Sequence, residues 1–183
     1  RSKNESIKNI KDTLHESPAT FGILFACALI FVIMISYGVD AGKPRTTDIV
    51  NWGGNAFSLT FTDGQLWRLV TNIFVHIGIA HLFMNAVGFL FAGLLLESII
   101  GSRNLILLYL ACGIVASLVS ALWNTNVISA GASGAILGTY GFILSAFSIN
   151  NGYNFKLDNG LKASIAIYVV YNLLMGLTGG IDN

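Results

Sequence analysis

Five long, almost uninterrupted apolar segments constrain this chain more than any other feature of its sequence. They cover residues 20–37, 79–100, 105–123, 132–149 and 161–177. A helix needs about 20 mostly apolar residues to cross about 30 Å of hydrocarbon, and neighbouring helices or a thinner bilayer accommodate shorter ones. Buried helices of a water-soluble protein would show polar stripes at a 3.6-residue period, whereas these segments are apolar on all sides. The sequence therefore predicts an all-α, polytopic membrane helical bundle.

The composition supports a membrane protein and argues against other classes. Of the 183 residues, 54% are hydrophobic and 10% are charged, with a mean hydropathy of +0.70, whereas soluble domains carry roughly 25% charged residues. The net charge of +1, without a basic cluster, excludes nucleic-acid binding, which requires a concentrated Lys/Arg surface. The three histidines, His15, His76 and His81, have no carboxylate or thiol at ligand spacing, so no metal or cofactor is expected.

The distribution of basic residues predicts the orientation, because short cytoplasmic loops of membrane proteins carry an excess of Lys and Arg. With a cytoplasmic N-terminus, most basic residues lie on the cytoplasmic side: Arg1, Lys3, Lys8, Lys11, Arg103, Lys156 and Lys162. Lys43, Arg45 and Arg68 then lie on the opposite side. We therefore expect residues 1–18 to form a cytoplasmic segment ahead of a membrane domain at residues 19–183.

The connection between the first two apolar segments, residues 38–78, is too polar and irregular to span a membrane. It nevertheless carries large apolar side chains among the polar ones: Trp52, Phe57, Leu59, Phe61, Leu66, Trp67, Leu69, Val70 and Phe74. Aromatic residues interspersed with polar ones suit the headgroup region, so we expect an ordered loop lying in the outer leaflet. Thr62-Asp63-Gly64 predicts a turn within it, or the N-cap of a short helix beginning near Gln65.

Two polar residues, His81 and Asn85, lie near the start of the second apolar segment. Polar groups within apolar spans are costly and need a partner or a water-filled cavity. Because they are four residues apart, a helix places both side chains on one face, one turn from each other. They form either a polar clasp between helices or a set of hydrogen-bond donors for a developing oxyanion. His76 lies outside this pair, and we expect it to brace the loop near Trp67 or Arg68.

A serine flanked by glycines opens the fourth apolar segment, in the order Gly131-Ala-Ser133-Gly134. The glycines allow other backbone to approach closely at the point where loop becomes helix. The Ser133 hydroxyl is either a helix N-cap or a nucleophile supported by N–H groups of the same turn and by the helix dipole. Glycines at 134, 138 and 141 also predict tight helix packing. The motif is not the G-x-S-x-G of soluble hydrolases, because Ala135 replaces its second glycine.

Taken together, these motifs resemble those of the rhomboid proteases, and the resemblance runs from about residue 20 to residue 183. It rests on four ordered motifs: Gly131-Ala-Ser133-Gly134, His81-x-x-x-Asn85, Trp67-Arg68 and Glu97-x-x-x-Gly101. The resemblance implies that Ser133 is the nucleophile. It also implies that His81 and Asn85 form an oxyanion hole with the Ser133 backbone N–H, and that Trp67 and Arg68 are structural.

Two features depart from the family pattern. Many rhomboid proteases carry an aromatic residue four positions after the serine, stacked on the catalytic histidine, whereas this chain has Leu137. The family's general base is a histidine near the start of a sixth span, and the resemblance places it shortly beyond Asn183. We therefore expect five of six transmembrane helices in a C-terminally incomplete rhomboid domain, and no proteolysis by residues 1–183 alone. His81 is a less suitable base, because its pairing with Asn85 fits a donor site.

The resemblance implies an intramembrane serine endopeptidase of a bacterial inner membrane, which cleaves single-span membrane proteins in or beside their transmembrane helix by a Ser/His dyad. Its partners would be the lipid bilayer and substrate helices weakened by Gly, Pro or polar residues, since these unwind most easily in lipid. The alternative is a non-catalytic rhomboid-like protein that binds transmembrane segments. The joint presence of Ser133, His81 and Asn85 argues against that alternative. A transporter would need paired broken helices in matching halves, which the sequence does not show.

Overall fold

The structure, a computed structural model, describes residues 16–148 and 159–177. It contains the helices α1 (Pro18–Ser36), α2 (Thr46–Asn51), α3 (Arg68–Thr71), α4 (Ile79–Trp123), α5 (Ser133–Ser148) and α6 (Asn159–Leu177). A five-residue π-helical turn, Ser58–Thr62, lies between α2 and α3. Within the described residues, the β-type pairing consists of one isolated bridge between Asn55 and Ser129. The prediction of an all-α fold is confirmed for this part of the chain.

Helix α4 contains two of the predicted spans, which meet at Gly101. The backbone leaves the helical conformation at Gly101, with φ 78° and ψ 161°, a region that glycine enters without the Cβ clash of other residues. We call residues 79–100 α4a and residues 102–123 α4b. In a straight helix, Phe89 and Tyr109 would be about 30 Å apart, whereas their ring centroids are separated by 4.9 Å. The two halves of α4 therefore fold back against each other.

The remaining long helices pack around α4. Helices α1 and α5 lie against it, and α6 contacts both α4 and α5. The core between them is formed by large buried side chains that include Phe89, Leu96, Tyr109, Ile136 and Tyr140. Since each of these helices is apolar on more than one side, the side chains that do not reach this core remain at the surface.

Small residues allow α5 to approach α4b closely. A Cβ added at Gly138 would lie 2.5 Å from Cys112 Sγ, and one added at Gly134 would overlap with Ala116 Cβ. The tight packing predicted from the glycine spacing is therefore confirmed at residues 134 and 138. It is wrong at Gly141, which is exposed and has nothing in the described part of the chain within 4 Å of the corresponding position.

Among the described residues, α1 and α4 are long and apolar enough to cross a membrane, and α5 has a shorter apolar stretch, Ser133–Ala146. Large apolar side chains are exposed on these helices, including Phe25, Val32, Phe83, Phe91, Val115 and Leu122. Soluble monomers rarely expose apolar surface on this scale, so these side chains suit contact with lipid. Of the cytoplasmic segment expected at residues 1–18, residues 1–15 lie outside the described residues, and Pro18 is the first residue of α1. The expected end of the fourth span at residue 149 also lies outside them. Crossing of the bilayer by all five segments stays a prediction.

The connection between α1 and α4 is organised around Arg68, which is 6% exposed. Arg68 Nη1 donates to the carbonyl oxygens of Val50 and Gly54, at 2.7 Å each, and Nε donates to Gln65 Oε1 at 2.7 Å. The guanidinium carbon lies 4.5 Å from the centroid of the Trp67 ring. One buried side chain thereby ties three parts of the connection together.

The turn predicted at Thr62-Asp63-Gly64 is confirmed. Thr62 ends the π-helical turn, and Gly64 has a φ of 71°. The short helix that follows begins at Arg68 rather than near Gln65. The intervening residues form tight turns, in which the Arg68 N–H donates to the Gln65 carbonyl oxygen at 3.0 Å, so regular helix begins one turn later than expected.

Candidate active site

Ser133 is the first residue of α5, and the loop before it is fixed to two other parts of the fold. The Asn55 and Ser129 backbones exchange N–H···O bonds of 2.9 and 2.8 Å, and the Gly131 N–H donates to the Asn72 carbonyl oxygen at 2.8 Å. Side-chain bonds extend this anchoring, because Asn55 Nδ2 donates to the Ser117 carbonyl oxygen at 2.9 Å. The connection between α1 and α4 therefore determines where α5 begins.

Gly131 lies directly against His81 and Asn85. Its φ is 119°, a backbone conformation that residues with a Cβ rarely adopt. A Cβ at this position would lie 2.9 Å from His81 Nε2 and 3.3 Å from Asn85 Nδ2, and would overlap with His81 Cε1. The fold thus brings the two polar side chains of α4a to the turn that leads into Ser133.

The Asn85 amide is buried, with 1% of the residue exposed, and its two ends have different surroundings. Oδ1 accepts a hydrogen bond of 2.7 Å from the Tyr168 hydroxyl on α6. Nδ2 has no hydrogen-bond partner in the described part of the chain. An unpaired buried polar group costs about 1–3 kcal/mol, so this N–H group is available to a ligand that approaches the Gly131 turn.

His76 occupies a different place from the one expected. Its ring packs edge-on against His81, with centroids 5.4 Å apart and planes at 61°, and its Nδ1 lies 3.1 Å from the Phe74 carbonyl oxygen. The side chain is fully buried. Burial, and secondly the neighbouring His81, lower the pKa of His76 to about 3, so the ring is neutral near pH 7. His76 therefore supports His81 and does not simply brace the loop.

A polar cavity lies beside the Ser133 turn. It has a volume of about 110 Å³, and its lining includes Asn72, Ser117, Ser120, Ser129 and Ser133. Ser117 Oγ lies 3.0 Å from Asn72 Oδ1, and Ser129 Oγ is buried without a hydrogen-bond partner in the described part of the chain. A water molecule needs roughly 10–15 Å³ of such space and two to four polar partners, so this cavity has the size and polarity for ordered water.

Sequence reasoning missed three residues that contact this site. Tyr168 and Asn72 belong to no motif that the sequence shows, and His76 lies outside the helical pair of His81 and Asn85. The signal for Tyr168 is a hydroxyl within an apolar segment, since such a group needs a partner inside the bundle. Asn72 and His76 lie in an irregular connection, where residue spacing does not indicate which side chains meet.

Comparison with known proteins identifies the family. The model of the Rhomboid domain matches residues 63–183, and the chain belongs to the rhomboid family. Its helical bundle is therefore a rhomboid-type membrane fold. The Rhomboid protease GluP of Bacillus subtilis (strain 168) is 36% identical over 165 residues, which are 90% of this chain and 31% of that protein.

Two relatives from Arabidopsis thaliana are similar over a shorter stretch. The "Inactive RHOMBOID-like protein 8" is 31% identical over 141 residues, 76% of this chain and 40% of the relative. The "RHOMBOID-like protein 6, mitochondrial" is 33% identical over 140 residues, 76% of this chain and 45% of the relative. The chain thus spans less than half the length of these relatives. One relative is named a protease and another is named inactive, so family membership alone does not decide the activity.

Proposed function

We propose that this chain is the membrane core of an intramembrane serine endopeptidase in which Ser133 is the nucleophile. The observation that carries the proposal is the Asn85 Nδ2 group, which is buried, unpaired in the described part of the chain, and held beside Gly131. Such a donor is costly in a resting protein. It becomes favourable when negative charge develops next to it, as in the tetrahedral intermediate of acyl transfer.

In this mechanism, the Ser133 hydroxyl attacks the scissile carbonyl carbon, and a base accepts its proton. The carbonyl oxygen becomes an oxyanion, which accepts hydrogen bonds from Asn85, His81 and the Ser133 backbone N–H. The positive end of the α5 dipole contributes in the same direction. The expected histidine beyond Asn183 is the proposed base, and it then protonates the leaving amine.

Collapse of the tetrahedral intermediate breaks the C–N bond and leaves an acyl-enzyme ester on Ser133. Water then attacks this ester, which releases the new carboxyl end and regenerates the Ser133 hydroxyl, so water must reach a serine at membrane depth. The polar cavity of about 110 Å³ beside Ser133 supports this step, because it offers hydrogen-bonding side chains where the hydrocarbon would offer none. We assign this cavity to the supply of the hydrolytic water. Many relatives carry an aromatic residue at the position of Leu137, which is 37% exposed. Without an aromatic ring there to stack on, the imidazole of the proposed base would pack against other residues.

The glycines and the Trp67-Arg68 pair have structural roles in this proposal. Gly131 permits the contact with His81 and Asn85, and Gly134 permits the close approach to α4b. Arg68 holds the connection whose Asn55 backbone pairs with Ser129. Through these contacts the long connection supports the position of the nucleophile.

The substrates in this proposal are single-span membrane proteins cut in or beside their transmembrane helix. Cleavage requires extended backbone, so helices that contain Gly, Pro or polar residues would be preferred. The excess of Lys and Arg in alternate connections supports an orientation with residues 1–18 in the cytoplasm. We propose a bacterial inner membrane as the location.

A non-catalytic rhomboid-like protein that binds transmembrane segments is the second candidate. The similarity to the relative named "Inactive RHOMBOID-like protein 8" favours it. It predicts binding of a transmembrane segment without any reaction at Ser133. The two candidates therefore differ in the reactivity of a single hydroxyl group.

The test is labelling of the full-length protein with a fluorophosphonate probe, together with cleavage of a reporter transmembrane substrate in proteoliposomes. Ser133→Ala should abolish both activities. The matched control is Ser145→Ala on the same helix, which should retain both activities. The exposed Ser145 hydroxyl donates to the Phe142 carbonyl oxygen one turn earlier. If the wild type shows no labelling that depends on Ser133, and no cleavage, the endopeptidase is excluded and the binding protein is favoured.

A further inference from the structure

The hydrogen bond between Tyr168 and Asn85 joins α6 to the candidate oxyanion site. The Tyr168 hydroxyl donates to Asn85 Oδ1 at 2.7 Å, and both residues are buried, with 2% and 1% exposed. The other end of the amide, Nδ2, lies beside Gly131 with no partner in the described part of the chain. The amide is thus anchored by its oxygen and presents its nitrogen to the turn before Ser133.

The orientation of this amide decides whether it attracts or repels an oxyanion. The nitrogen offers two hydrogen-bond donors, whereas the oxygen offers only lone pairs. If the amide were rotated by half a turn, Oδ1 would face Gly131 and repel developing negative charge. A hydroxyl that donates to Oδ1 favours the orientation with Nδ2 toward the site, and it polarises the amide so that the N–H groups become stronger donors.

We propose that Tyr168 is a positioning residue, which orients the Asn85 amide for stabilisation of the oxyanion. The proposal rests on the endopeptidase function proposed above. It gives α6 a role in the reaction although Tyr168 does not touch the reacting atoms. Any movement of α6 away from α4a would remove the anchor and leave the amide free to rotate.

The packing of the Tyr168 ring fixes the position of its hydroxyl. A Cβ at Gly88 would lie 3.2 Å from Tyr168 Cγ and would overlap with Cδ2 and Cε2. On another side, the ring centroid of Tyr140 is 5.5 Å away. Because the ring is held by these contacts, Tyr168→Phe removes the hydroxyl while the remaining shape is kept.

Tyr140 provides a matched control in the same layer of the bundle. It is 1% exposed, and its hydroxyl donates to the Gly88 carbonyl oxygen at 2.8 Å. Tyr140→Phe therefore deletes a buried hydroxyl and a hydrogen bond between α5 and α4a, as Tyr168→Phe does between α6 and α4a. Unlike this bond to a backbone oxygen, the Tyr168 bond ends on the side chain of Asn85.

The experiment compares kcat and KM for a reporter transmembrane substrate in the full-length protein, with melting temperatures measured in parallel. We expect Tyr168→Phe to lower kcat about threefold to tenfold, the effect of one hydrogen bond. KM should stay within about twofold, because the oxyanion exists only after attack. Asn85→Ala should lower kcat about a hundredfold, and adding Tyr168→Phe to it should have no further effect. Tyr140→Phe should keep the wild-type kcat at a melting temperature similar to that of Tyr168→Phe.

Two results would overturn the inference while the endopeptidase stands. One is an equal loss of kcat in Tyr168→Phe and Tyr140→Phe, which would indicate general packing. The other is a further loss of the same size when Tyr168→Phe is added to Asn85→Ala, which would show that Tyr168 does not act through Asn85. A wild-type protein without activity dependent on Ser133 would refute the proposed function, and the inference would fall with it.

Discussion

Substitution of Glu97 by glutamine should destabilise the fold strongly, because four donors converge on this buried carboxylate. Oε1 accepts from the Ala19 N–H and the Ser102 hydroxyl, both at 2.7 Å. Oε2 accepts from the Thr20 N–H at 2.8 Å and the Thr20 hydroxyl at 2.6 Å. Two of these donors are backbone N–H groups of the first turn of α1, which have no partner within their own helix. Glu97 therefore caps α1 from a distance of 77 residues along the chain.

The size of the effect follows from the number of donors that lose their acceptor. Glutamine has one carbonyl oxygen, so two of the four donors would face an NH₂ group. Hydrogen bonds to charged groups contribute roughly 1.5–3 kcal/mol each, and with some relaxation we expect a loss of about 3 kcal/mol. For a domain of this size, that loss corresponds to a melting temperature lower by about 6–12 °C.

A thiol-reactive dye provides the assay in a Cys112→Ala background, which removes the less buried of the two free cysteines. Cys27 lies on α1 and is 5% exposed, so its reaction then reports detachment of that helix. The control is Ser98→Ala at the next position, where the exposed hydroxyl donates to the Leu95 carbonyl oxygen in its own helix. It should melt close to the wild type. If Glu97→Gln melted within about 2 °C of Ser98→Ala, the carboxylate would not stabilise the fold in the way described.

Two further predictions concern the candidate site. Gly131→Ala should reduce labelling of Ser133 about a hundredfold, because its Cβ would displace His81. Gly38→Ala is the control and should keep the labelling, since Gly38 has a φ of 90° and, among the described residues, nothing within 4 Å of the added Cβ. An equal loss in both variants would implicate backbone strain alone. For His76, the folded pKa of about 3 lies below the unfolded value of 6.5, so its contribution to stability is complete above pH 6.5 and falls by about 2 kcal/mol at pH 5. On acidification, the melting temperature of the wild type should therefore fall more steeply than that of His76→Gln. The same pH dependence of the melting temperature in both proteins would contradict this assignment of the His76 pKa.

The helices could be predicted from the sequence because hydropathy is a local property. The first apolar segment, residues 20–37, corresponds to α1 at Pro18–Ser36, and residues 161–177 correspond to α6 at Asn159–Leu177. A break near Gly101 is also apparent in the sequence, because a glycine and three polar residues, of which only Arg103 is charged, separate two apolar runs. The exact form of that break, a single residue with positive φ, depends on how α4a and α4b pack.

The candidate site could be predicted only in part. The shared face of His81 and Asn85 follows from their spacing on one helix. The family resemblance, and no local pattern, implied that both residues lie near the Ser133 backbone N–H, since loop and helix meet only in the folded chain. Their contact with Gly131 is seen only in the structure. The bond from Tyr168 to Asn85 joins residues 83 positions apart, and no local signal selects that pair from the other polar groups in the spans.

Glu97 and Asn85 show how burial and hydrogen bonding together separate a structural polar group from a candidate functional one. Both lie on α4a, and both are nearly inaccessible, with 4% and 1% exposed. Each carboxylate oxygen of Glu97 accepts two hydrogen bonds in the resting fold. Everything that this side chain contributes to the stability of the fold is therefore already present. Asn85 retains a donor that is unpaired among the described residues, and its favourable interaction forms when an acceptor arrives. Glu97→Gln should therefore mainly reduce stability, because two of its four bound donors lose their acceptor. Asn85→Ala removes the acceptor of a single bond, the one from Tyr168, and should lower the melting temperature less. It should also reduce kcat, because the unpaired donor acts only when the oxyanion forms.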